Sequence, residues 1–592
     1  MSPTARSAAT TPRTERGGRF RWLFRDVDAR ATASFGSLLG IGPVAARVLY
    51  GRGYRDPDAA RLFLHPSLDK LHDPLSMLGM PQAVERLRAA ISAREKILIY
   101  GDYDVDGTTS VVVLKKAIEL AGGAAFFHVP DRFTEGYGMR AEVVERASAE
   151  GVSLIVSVDT GIRAGQVVRR AAALGIDVIV TDHHLPEAEL PPALAVLNPN
   201  QPGCCYPEKN LCGVGVAFKL AQGLLQTLGW PPEKLRRVLQ SFLKLVAIGT
   251  VADVVPLTGE NRIIVKHGLD GLSVVKNEGL RALFKVAGLI EGSAPTASQV
   301  SFQVAPRINA AGRMATATGV IELLLTADPA RARALAEELD ALNTERQRTE
   351  AQIVQSILEE CTQTPVTEQQ AALVFAGAGW HRGVLGIVAS RLVEKFHRPT
   401  FVLGHSSEDG VAQGSGRSIA VFHLLDALES MPELFAKFGG HFHAAGLTMA
   451  SGRVDEFRDR LNTYAGARLG PHDFVPSLQV DAEVRLDELN EQTAAETLSL
   501  QPFGAGNPRP LLVARAAEIA GEPVWMKEKH VRFPVRQNGK TVRIKAWNFA
   551  DRGPELVVGA KIDLVFELEE DAYSLARGYP GWSATLRDLK RL

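Results

Sequence analysis

The sequence predicts an α/β protein in which two α/β lobes are joined by a long helix and followed by a C-terminal β-rich domain. From about residue 80 to 270, short apolar runs alternate with helical patterns, which is typical of a parallel sheet with helices on both faces. A helical pattern then runs from Asp328-Pro329 to about Glu360. After about residue 476, period-two alternation indicates strands.

Length and composition limit the class of protein. A chain of 592 residues exceeds what one hydrophobic core usually supports, so we expect several domains. The net charge of zero means that any nucleic-acid surface must be local. Four cysteines without a framework spacing favour reduced thiols and a cytoplasmic location. The sequence has no apolar run of the roughly 18 residues that span a membrane, and its N-terminus lacks the apolar segment of a secretory signal, so no membrane partner is expected.

The domain organisation follows from these patterns. At 1.5 Å per residue the predicted long helix measures roughly 50 Å, which is too long for one small domain, so we interpret it as a spacer. The N-terminus is polar and rich in arginine, which predicts disorder. In chain order we expect a disordered tail (1–19), a helical lead-in (20–78), a first α/β lobe (79–325), the connecting helix (326–362), a second α/β lobe (363–470) and the β-rich domain (471–592).

The first lobe contains the clearest buried strands. Each is a short, apolar, β-branched run followed by a polar loop and then a helical pattern. We predict strands at Lys96–Tyr100, Ala125–Val129, Leu154–Val158 and Asp177–Thr181, and helices over Thr109–Leu120 and Ala164–Leu174.

Three aspartates, Asp102, Asp104 and Asp106, directly follow the first predicted strand. Their spacing resembles the start of an EF-hand calcium loop, which needs a glutamate at its twelfth position and a preceding helix. The twelfth position here is Val113, and a strand precedes the loop. The EF-hand interpretation therefore fails, and the aspartates require another explanation.

Other acidic and imidazole groups follow neighbouring strands. Asp159 follows the strand that ends at Val158, and Asp182-His183-His184 follows the next strand. Because ligands of open parallel sheets bind outside the carboxyl ends of the strands, these loops are expected to converge on one crevice. Each aspartate alone could be a helix cap, but three loops with a double histidine favour a shared site. Asp253, in an apolar segment, is costly to bury unless it is bonded or bound to a ligand.

Clustered carboxylates indicate a cation site. Several ionised aspartates can pack together only if cations neutralise them. Oxygen ligands with one or two imidazoles suit Mg²⁺ or Mn²⁺. Two such ions are a common device for phosphoryl transfer, in which they activate water and stabilise the leaving oxygen.

The β-rich domain contains a basic hairpin. The stretch from Lys527 to Lys545 contains seven basic residues and one acidic residue. Asn538-Gly539 in the same stretch is a strong hairpin signal. Basic groups beside aromatic residues are typical of surfaces that bind single-stranded nucleic acid, although a solvated hairpin face would have a similar composition. The predicted nucleic-acid contacts are Lys527, Lys529, Arg532, Phe533, Arg543, Lys545 and Trp547.

A set of ordered motifs identifies a family. The motifs, from about residue 100 to 510, are YGDYDVDGTTS, PDRFTEGYG, SVDTG, TDHH, LCGVGVAFKL, GTVADVVPL, PRINAAGRM, GWHRGVLGIVASRL, GSGRS, FGGHFHAAG and QPFGAGNPRP. In this order they resemble the DHH phosphoesterase superfamily, and within it the bacterial single-strand-specific 5′→3′ exonucleases. The resemblance implies that the two lobes are a DHH domain and a DHH-associated domain, and that the β-rich domain is of the OB type.

The resemblance also implies a set of site residues. It implies two ions, Mn²⁺ or Mg²⁺, with Asp159 as the bridge between them and the remaining ligands at Asp104, Asp106, His183 and Asp253. Asp102 is a further candidate ligand, and His184 is a candidate catalytic residue. In the pyrophosphatase branch a ligand histidine stands where this chain has Tyr100, a departure that disfavours pyrophosphatase activity and leaves one ion's ligands uncertain.

Phosphate contacts are implied in both lobes. Arginine presents a fork that suits phosphate oxygens, and glycine exposes backbone N–H groups beside it, although an isolated arginine is more often a surface or salt-bridge residue. His441 is implied to be catalytic and to face the metal crevice. The implied phosphate or DNA contacts are Arg132, Arg307, Asn309, Arg313, Ser415, Arg417, Ser418, Gly440 and His441.

The function implied by the resemblance is a Mg²⁺- or Mn²⁺-dependent 5′→3′ exonuclease that releases 5′-mononucleotides from single-stranded DNA in recombination and repair. Single-stranded DNA is the expected partner, and single-stranded-DNA-binding protein and a helicase are candidate protein partners. Two alternatives are a DHH phosphodiesterase acting on short oligonucleotides or dinucleotides, including RNA, and a non-catalytic nucleic-acid-binding scaffold. The lead-in and basic tail disfavour the first alternative, and the intact carboxylate set disfavours the second.

Overall fold

A computed structural model describes residues 13–405, 410–578 and 580–592. The chain divides into two compact units. Unit 1 comprises Met1–Leu64, Thr349–Gln501 and Arg509–Leu592, and unit 2 comprises His65–Arg348 and Pro502–Pro508.

The strands in the described residues are β1 (Thr14–Arg16), β2 (Arg21–Phe24), β3 (Lys96–Tyr100), β4 (Ala125–His128), β5 (Val152–Val158), β6 (Asp177–Thr181), β7 (Ala195–Leu197), β8 (Leu373–Ala378), β9 (Thr400–His405), β10 (Val411–Arg417), β11 (Phe435–Gly440), β12 (Ala444–Ala450), β13 (Ser477–Val480), β14 (Ala482–Glu483), β15 (Leu512–Ile519), β16 (Val524–Met526), β17 (His530–Gln537), β18 (Lys540–Ala546), β19 (Lys561–Glu570) and β20 (Trp582–Arg591).

The α-helices in the same residues are α1 (Ala29–Leu39), α2 (Pro43–Gly51), α3 (Pro57–Leu64), α4 (Met80–Ser92), α5 (Val105–Leu120), α6 (Ala141–Ala149), α7 (Gly165–Ala173), α8 (Gly213–Gln226), α9 (Pro232–Ala252), α10 (Gly259–Gly271), α11 (Glu278–Val286), α12 (Ala297–Gln299), α13 (Ala305–Met314), α14 (Thr318–Leu325), α15 (Pro329–Gln363), α16 (Leu385–Phe396), α17 (Leu424–Glu429), α18 (Val454–Gly466), α19 (Glu491–Leu498) and α20 (Ala572–Leu575).

Unit 2 is built on a five-stranded parallel sheet with the order β4-β3-β5-β6-β7. Successive residues of β3 enter different cores: Ile97 and Ile99 pack into the larger one, whereas Leu98 and Tyr100 pack with α6 and α7 residues on the opposite face. The prediction of a parallel sheet with helices on both faces is therefore confirmed.

Helix α5 begins at Val105, earlier than the predicted Thr109. Asp104 is its N-cap, and the Asp104 carboxylate accepts a hydrogen bond from the Gly107 N–H at 3.0 Å. A side-chain oxygen at this position satisfies a backbone donor that the first helical turn leaves without a partner. The loop after β3 is consequently short, and Asp106 lies in the first turn of the helix.

Unit 1 contains a mixed sheet and a closed β-rich domain. The mixed sheet has the order β11-β12-β10-β9-β8, in which only β8 and β9 are parallel neighbours. The second sheet runs β14-β15-β19-β20-β18-β17-β16, and an additional β15–β17 pairing closes it into a barrel. The predicted hairpin is confirmed: β17 and β18 meet across Asn538 (φ +50°) and Gly539 (φ +78°), which suits a type I′ turn.

The N-terminal segment differs from the sequence prediction. Of the predicted disordered tail, residues 1–12 lie outside the described residues, but Thr14–Arg16 form β1, which pairs with β2. Strand β2 pairs in turn with β13 and buries Trp22 completely, so the lead-in begins with a strand instead of a helix. Trp22 and Phe24 are buried whereas Arg21 and Leu23 are half-buried, which is the alternation of a strand with one face on the core.

The long helix predicted from Asp328-Pro329 is confirmed as α15, Pro329–Gln363. The remaining boundaries proposed for the six sequence segments stay predictions. Within the described residues, no single helix has the length and apolarity to cross a membrane, whereas the helices Ala29–Leu39 and Pro43–Gly51 reach that threshold only as a pair bent by 111°.

Candidate metal centre

The predicted acidic loops converge at one edge of the unit 2 sheet. Asp102 follows β3, Asp159 follows β5, and His183 follows β6, so all three lie beyond the carboxyl ends of parallel strands. Asp253 joins them as the C-cap of α9. The expectation that separate loops share one crevice is therefore met in the geometry.

Two adjoining sets of potential ligands that share no residue form the centre, and a third set, Asp159, His183 and His184, overlaps both. In one set, ligand atoms of Asp106, His183 and Asp253 all lie within 4.8 Å of one another. In the other set, ligand atoms of Asp102, Asp104 and Asp159 meet the same limit. Asp159 connects the sets, because its Oδ1 lies 3.2 Å from Nε2 of His183, and the same Nε2 is 3.7 Å from Oδ2 of Asp253.

Several of these atoms are buried without a hydrogen-bond partner among the described residues. They are Oδ1 of Asp102, Oδ1 of Asp159, Nε2 of His183 and Oδ2 of Asp253. A buried polar atom without a partner is strongly unfavourable. Carboxylate oxygens with one imidazole form a donor set that suits Mg²⁺ or Mn²⁺, so the residues present fit a divalent metal centre.

The electrostatics of the cluster favour a bound cation. Burial, reinforced by neighbouring carboxylates, raises the pKa values of Asp102 and Asp159 well above their ordinary range. The same causes raise the pKa of Asp106 to about 7 and that of Asp253 to about 9. Positive charge placed among these groups would favour their ionised forms, which are the forms that bind metal.

The two histidines have different environments. Burial, with a smaller contribution from His184, lowers the pKa of His183 to about 4, so that the imidazole is neutral at pH 7. A neutral imidazole is the form that binds metal. Burial alone would lower the pKa of His184, but the hydrogen bond and negative charge of Asp182, together with the charges of Asp106 and Asp104, outweigh burial and raise that pKa.

Asp182 positions the loop that carries both histidines. Its Oδ1 accepts hydrogen bonds from the His183 N–H at 2.7 Å and the His184 N–H at 3.1 Å, and lies 2.7 Å from His184 Nδ1. Its Oδ2 accepts the Ile162 N–H at 3.0 Å. Burial alone would raise the Asp182 pKa, but these hydrogen bonds, with that of His184 the largest, hold it below its ordinary value. Sequence reasoning did not assign this role, which only the folded loop reveals.

The N-terminus of α8 is a second feature that sequence reasoning missed. The Asp106 carboxylate accepts hydrogen bonds from the backbone N–H groups of Gly213 at 2.5 Å and Val214 at 2.7 Å. A Cβ atom at Gly213 would lie 2.6 Å from Cβ of Asp159, so only glycine fits there. The helix N-terminus therefore orients Asp106 and leaves room for Asp159. The contact of this helix N-terminus with Asp106 could not be predicted from the sequence, because it joins distant segments.

A cleft of about 280 Å³ adjoins Asp102 and Asp104, and it is also lined by Tyr103, Arg132, Tyr137, Asn309, Gly312 and Arg313. The guanidinium carbon of Arg132 lies 4.9 Å from the centre of the Tyr103 ring. Asn309 Oδ1 accepts the Val105 N–H at 3.2 Å, which connects α13 to the start of α5. Three predicted phosphate contacts, Arg132, Asn309 and Arg313, are thus brought together beside the carboxylates.

Arg307 is bonded within unit 2. Its Nε donates to Asp340 at 2.8 Å, and its Nη1 and Nη2 donate to the carbonyl oxygens of Gln303 at 2.6 Å and Val286 at 3.2 Å. Arg307 does not line the cleft that holds Arg132 and Arg313. Its guanidinium holds α13 against neighbouring elements, and its predicted contact with phosphate stays a prediction.

The predicted residues of the second lobe gather around β10 and the β11–β12 turn. Arg417 Nη1 donates to Ser415 Oγ at 2.9 Å, and a Cβ atom at Gly386, in the first turn of α16, would lie 2.8 Å from Arg417 Nη2. Ser418 Oγ donates to the Phe422 carbonyl at 2.7 Å. Gly440 has a φ of +154° and is followed by His441 in the turn. The expectation that His441 faces the metal crevice stays a prediction.

The basic hairpin separates into outer and inner residues. Arg532 and Arg543 are exposed, whereas Phe533 is completely buried between Val531 and Val535 in the barrel core, so Phe533 is a packing residue and its prediction as a DNA contact is wrong. Lys545 lies on the outer face but already has partners in the protein, since its Nζ donates to Asp571 at 2.7 Å and Ser583 at 3.1 Å.

Two further lysines and a tryptophan of the predicted surface are accessible. Lys527 and Lys529 are exposed in the turn between β16 and β17. Trp547 is half-exposed, with its ring centre 4.9 Å from that of His530.

Comparison with known proteins matches three segments of the chain to described domains. Residues 96–250 match the DHH family, N-terminal domain; residues 368–467 match the DHHA1 domain; and residues 480–577 match the RecJ OB domain.

Similar full-length proteins cover most of the chain. The chain is 40% identical to the single-stranded-DNA-specific exonuclease RecJ of Bacillus subtilis, over 93% of this chain and 68% of the relative. It is 42% identical to the RecJ of Dickeya dadantii, over 84% of this chain and 87% of the relative. The crystal structure of RecJ from Thermus thermophilus in complex with Mn²⁺ aligns with a TM-score of 0.81 at 32% identity, covering 97% of this chain and 80% of that chain.

Proposed function

Because the chain belongs to the RecJ family of single-stranded-DNA-specific exonucleases, we propose that it hydrolyses single-stranded DNA from the 5′ end and releases 5′-mononucleotides. The observation that carries this proposal is the buried carboxylate cluster, which adjoins a cleft lined by arginines. A metal-dependent phosphodiester hydrolase needs both parts, one to hold cations and one to orient the phosphate. We propose DNA recombination and repair as the setting of this activity.

We assign the two sets of ligands to two divalent ions, Mn²⁺ or Mg²⁺. Asp106, His183 and Asp253 would hold one ion, and Asp102 and Asp104 the other, with Asp159 between them. Ions held there would supply activation of a water molecule and neutralisation of the phosphate charge. The RecJ of Thermus thermophilus has been solved in complex with Mn²⁺ and with Mg²⁺, which supports the choice of metals.

The remaining polar residues near the metal centre would orient the substrate. Asp182 favours the protonated form of His184, and the protonated imidazole can donate a hydrogen bond to a phosphate oxygen. Arg132 and Arg313 line the adjoining cleft, where their guanidinium groups would bind the phosphates of the entering strand.

In the second lobe we propose a phosphate site for the 5′ end. Ser415 and Arg417 lie together on β10 beside the start of α16, a combination of hydroxyl, guanidinium and helix N-terminus that suits an anion. Gly440 ends β11, Ser418 and His441 lie in the adjoining turns, and His441 is the residue that we propose to contact the scissile phosphate.

The experiment that tests the proposal compares substrates labelled at either end. The protein is incubated with Mn²⁺ and single-stranded DNA carrying a 5′ or a 3′ label, with single-stranded RNA and duplex DNA in parallel. We expect early release of the 5′ label as a mononucleotide, little reaction on RNA or duplex, and no reaction in EDTA. Trimming from the 3′ end, or equal use of RNA, would contradict the proposal and favour the short-oligonucleotide phosphodiesterase alternative.

The predicted protein partners, single-stranded-DNA-binding protein and a helicase, and the predicted cytoplasmic location stay predictions. We also propose the domain organisation that the sequence predicts. In its support, the matched ranges 96–250, 368–467 and 480–577 lie within the segments assigned to the first lobe, the second lobe and the β-rich domain.

A further inference from the structure

The backbone immediately after Asp253 has an unusual conformation. Val254 has a φ of +61°, in the left-handed region that β-branched residues rarely adopt. Its side chain is 70% exposed, so burial of that side chain does not explain the conformation. Such a residue persists only where the surrounding structure fixes the backbone on both sides. On the preceding side, the Asp253 N–H is bonded to the Gly249 carbonyl at 2.9 Å, at the end of α9.

On the following side, the chain is held at Pro256 and Leu257. The Pro256 carbonyl accepts a hydrogen bond from Asn261 Nδ2 at 3.1 Å. The Leu257 N–H donates to the carbonyl of Ala505 at 2.7 Å, and the Leu257 side chain is buried. The second of these partners comes from a segment that lies far downstream in the sequence.

That segment is the turn Pro502–Pro508, which belongs to unit 2 although the chain on either side of it belongs to unit 1. Gly504 and Asn507 exchange backbone hydrogen bonds of 2.9 and 3.2 Å, which close the turn. Asn507 is buried, and its Nδ2 donates to the Pro502 carbonyl at 2.9 Å. The turn is therefore a rigid element with its own internal hydrogen bonds.

The glycines of this turn allow its close approach to the loop after Asp253. Gly506 has a φ of +69°, and a Cβ atom there would lie 2.8 Å from Cβ of Pro256. A Cβ atom at Gly504 would lie 2.7 Å from Cδ1 of Leu257, the end of a flexible side chain that can move. A side chain at position 506 would push Pro256 away, whereas one at position 504 would require only a rotamer change.

We propose that the turn Pro502–Pro508 is a positioning element for Asp253, which it holds in place by fixing the chain on the far side of Val254. The inference rests on the proposed function, in which Asp253 binds an ion together with Asp106 and His183. It adds a role for the QPFGAGNPRP motif: the motif sets the affinity of that one ion. The Asp102–Asp104–Asp159 set does not include Asp253, so its ion should be much less affected.

The test is a titration of the full-length protein with Mn²⁺, in which free Mn²⁺ is followed by electron paramagnetic resonance. Wild-type protein should bind two Mn²⁺ ions. We expect Gly506→Ala to lower the affinity for one of these ions by about tenfold or more. An effect of this size is typical when a group that orients a metal ligand is lost. In exonuclease assays the Mn²⁺ concentration for half-maximal rate should rise in the same proportion, while the rate at saturating Mn²⁺ stays within about twofold of wild type.

Gly288→Ala is the matched control. Gly288 lies in unit 2 with a φ of +72°, close to that of Gly506, but a Cβ atom there would meet open space. The substitution introduces similar backbone strain away from Asp253. The variant protein should therefore bind both Mn²⁺ ions with wild-type affinity. If Gly506→Ala does not fold, Asn507→Ala replaces it, because that change loosens the turn without introducing new atoms, and it should also weaken one ion.

The outcomes separate the two proposals. Failure of the wild-type protein to bind Mn²⁺ would overturn the proposed function itself. Normal binding of two ions by wild type and by the folded turn variant would overturn only the positioning role. An equal loss of Mn²⁺ affinity in Gly288→Ala would also overturn the positioning role, because the effect would then reflect a general loss of stability.

Discussion

Unit 2 buries two clusters of charged side chains, and they differ in how their charge is balanced. In the first, Lys219 and Glu260 form a 2.8 Å ion pair whose side chains are both completely buried. Glu260 also accepts hydrogen bonds from the Tyr206 hydroxyl at 2.6 Å and the His72 N–H at 3.0 Å. In the second, around Asp159, buried carboxylates face one another and leave several oxygen atoms without a protein partner among the described residues.

This difference separates a structural cluster from a functional one. A buried ion pair with complete hydrogen bonding needs nothing from outside the protein. A buried group of like charges is stable only with protons or cations supplied from solution. The carboxylate oxygens left without a protein partner among the described residues, more than burial itself, therefore identify the metal centre. The two clusters should respond in opposite ways to mutation.

The largest expected effect is that of Asp159→Ala on activity. Removing the carboxylate that lies between the two ligand sets should lower the exonuclease rate by more than about a thousandfold, equivalent to roughly 4 kcal/mol of transition-state stabilisation. Without metal, the melting temperature in EDTA should be unchanged or higher, because one of several repelling carboxylates is gone. Activity within tenfold of wild type would contradict the bridging role.

Lys219→Met should have the opposite pattern. It removes the positive partner of Glu260 and should lower the free energy of unfolding by about 3–5 kcal/mol, the usual effect of leaving a buried charge without its partner. The exonuclease rate of the protein that remains folded at low temperature should stay within about twofold of wild type. Thermal melting and assays on the same preparation measure both quantities. A large loss of activity without a loss of stability would show that the first cluster is not purely structural.

Metal-free protein should become less stable as the pH rises from about 4 towards 9. Burial and neighbouring carboxylates raise the pKa of Asp106 to about 7 and that of Asp253 to about 9, above the ordinary value of 3.8. Between these values the folded chain binds more protons than the unfolded chain, so stability decreases with pH by up to about 1.4 kcal/mol per pH unit for each such group. Melting curves in EDTA at several pH values measure the slope.

Mn²⁺ should reverse this trend, because cations replace the protons that are lost at higher pH. The stabilisation by Mn²⁺ is therefore expected to be larger at pH 8 than at pH 5.5. Asp159→Ala is the control, since it should flatten the pH dependence in EDTA. If the stability of the metal-free protein rises between pH 4 and pH 9, the carboxylates around Asp159 do not repel one another as proposed.

The sequence predicted the fold of unit 2 well because its signals are local. Buried parallel strands are short apolar runs, and the loops that follow them carry Asp102, Asp159 and His183, which the sheet topology brings together. The role of Asp182 depends on the geometry of a folded turn, and the contact between Asp106 and the N-terminus of α8 joins distant segments. Neither relation has a counterpart in the linear sequence.

Two of the predicted contact residues have surroundings within the protein that differ in how far the sequence could reveal them. Phe533 was grouped with its basic neighbours by proximity in sequence, although the alternation that predicted the hairpin already placed it on the inner face with Val531 and Val535. Arg307 gave no such signal, since its partner Asp340 lies on another helix and the other two acceptors are backbone carbonyls. The burial of Phe533 could have been predicted from the sequence, whereas the partners of Arg307 required the structure.

The basic hairpin is a third charged region, and it differs from both buried clusters because its charge faces solvent. In the hairpin register Arg532 is opposite Lys545, Pro534 is opposite Arg543, and Arg536 is opposite Thr541, so the four basic side chains share the outer face. Arg536 already binds Glu518 at 2.9 Å, and Lys545 binds Asp571. Exposed charge of this kind contributes to nucleic-acid binding mainly through the release of counterions, which is a small and salt-dependent effect for each residue.

Arg543→Ala should therefore give the smallest effect of the series. We expect the affinity for a long single strand to fall about two- to threefold near 0.1 M salt, and the slope of log K against log salt concentration to decrease by roughly 0.7. Hydrolysis of very short oligonucleotides should be unchanged, because the substitution lies in the β-rich domain, which contributes none of the proposed metal ligands. Arg536→Ala is the matched control on the same face, and its smaller effect would reflect the existing pair with Glu518. An unchanged salt dependence for Arg543→Ala would remove this face of the hairpin from the proposed DNA-binding surface and leave it as a solvated strand face.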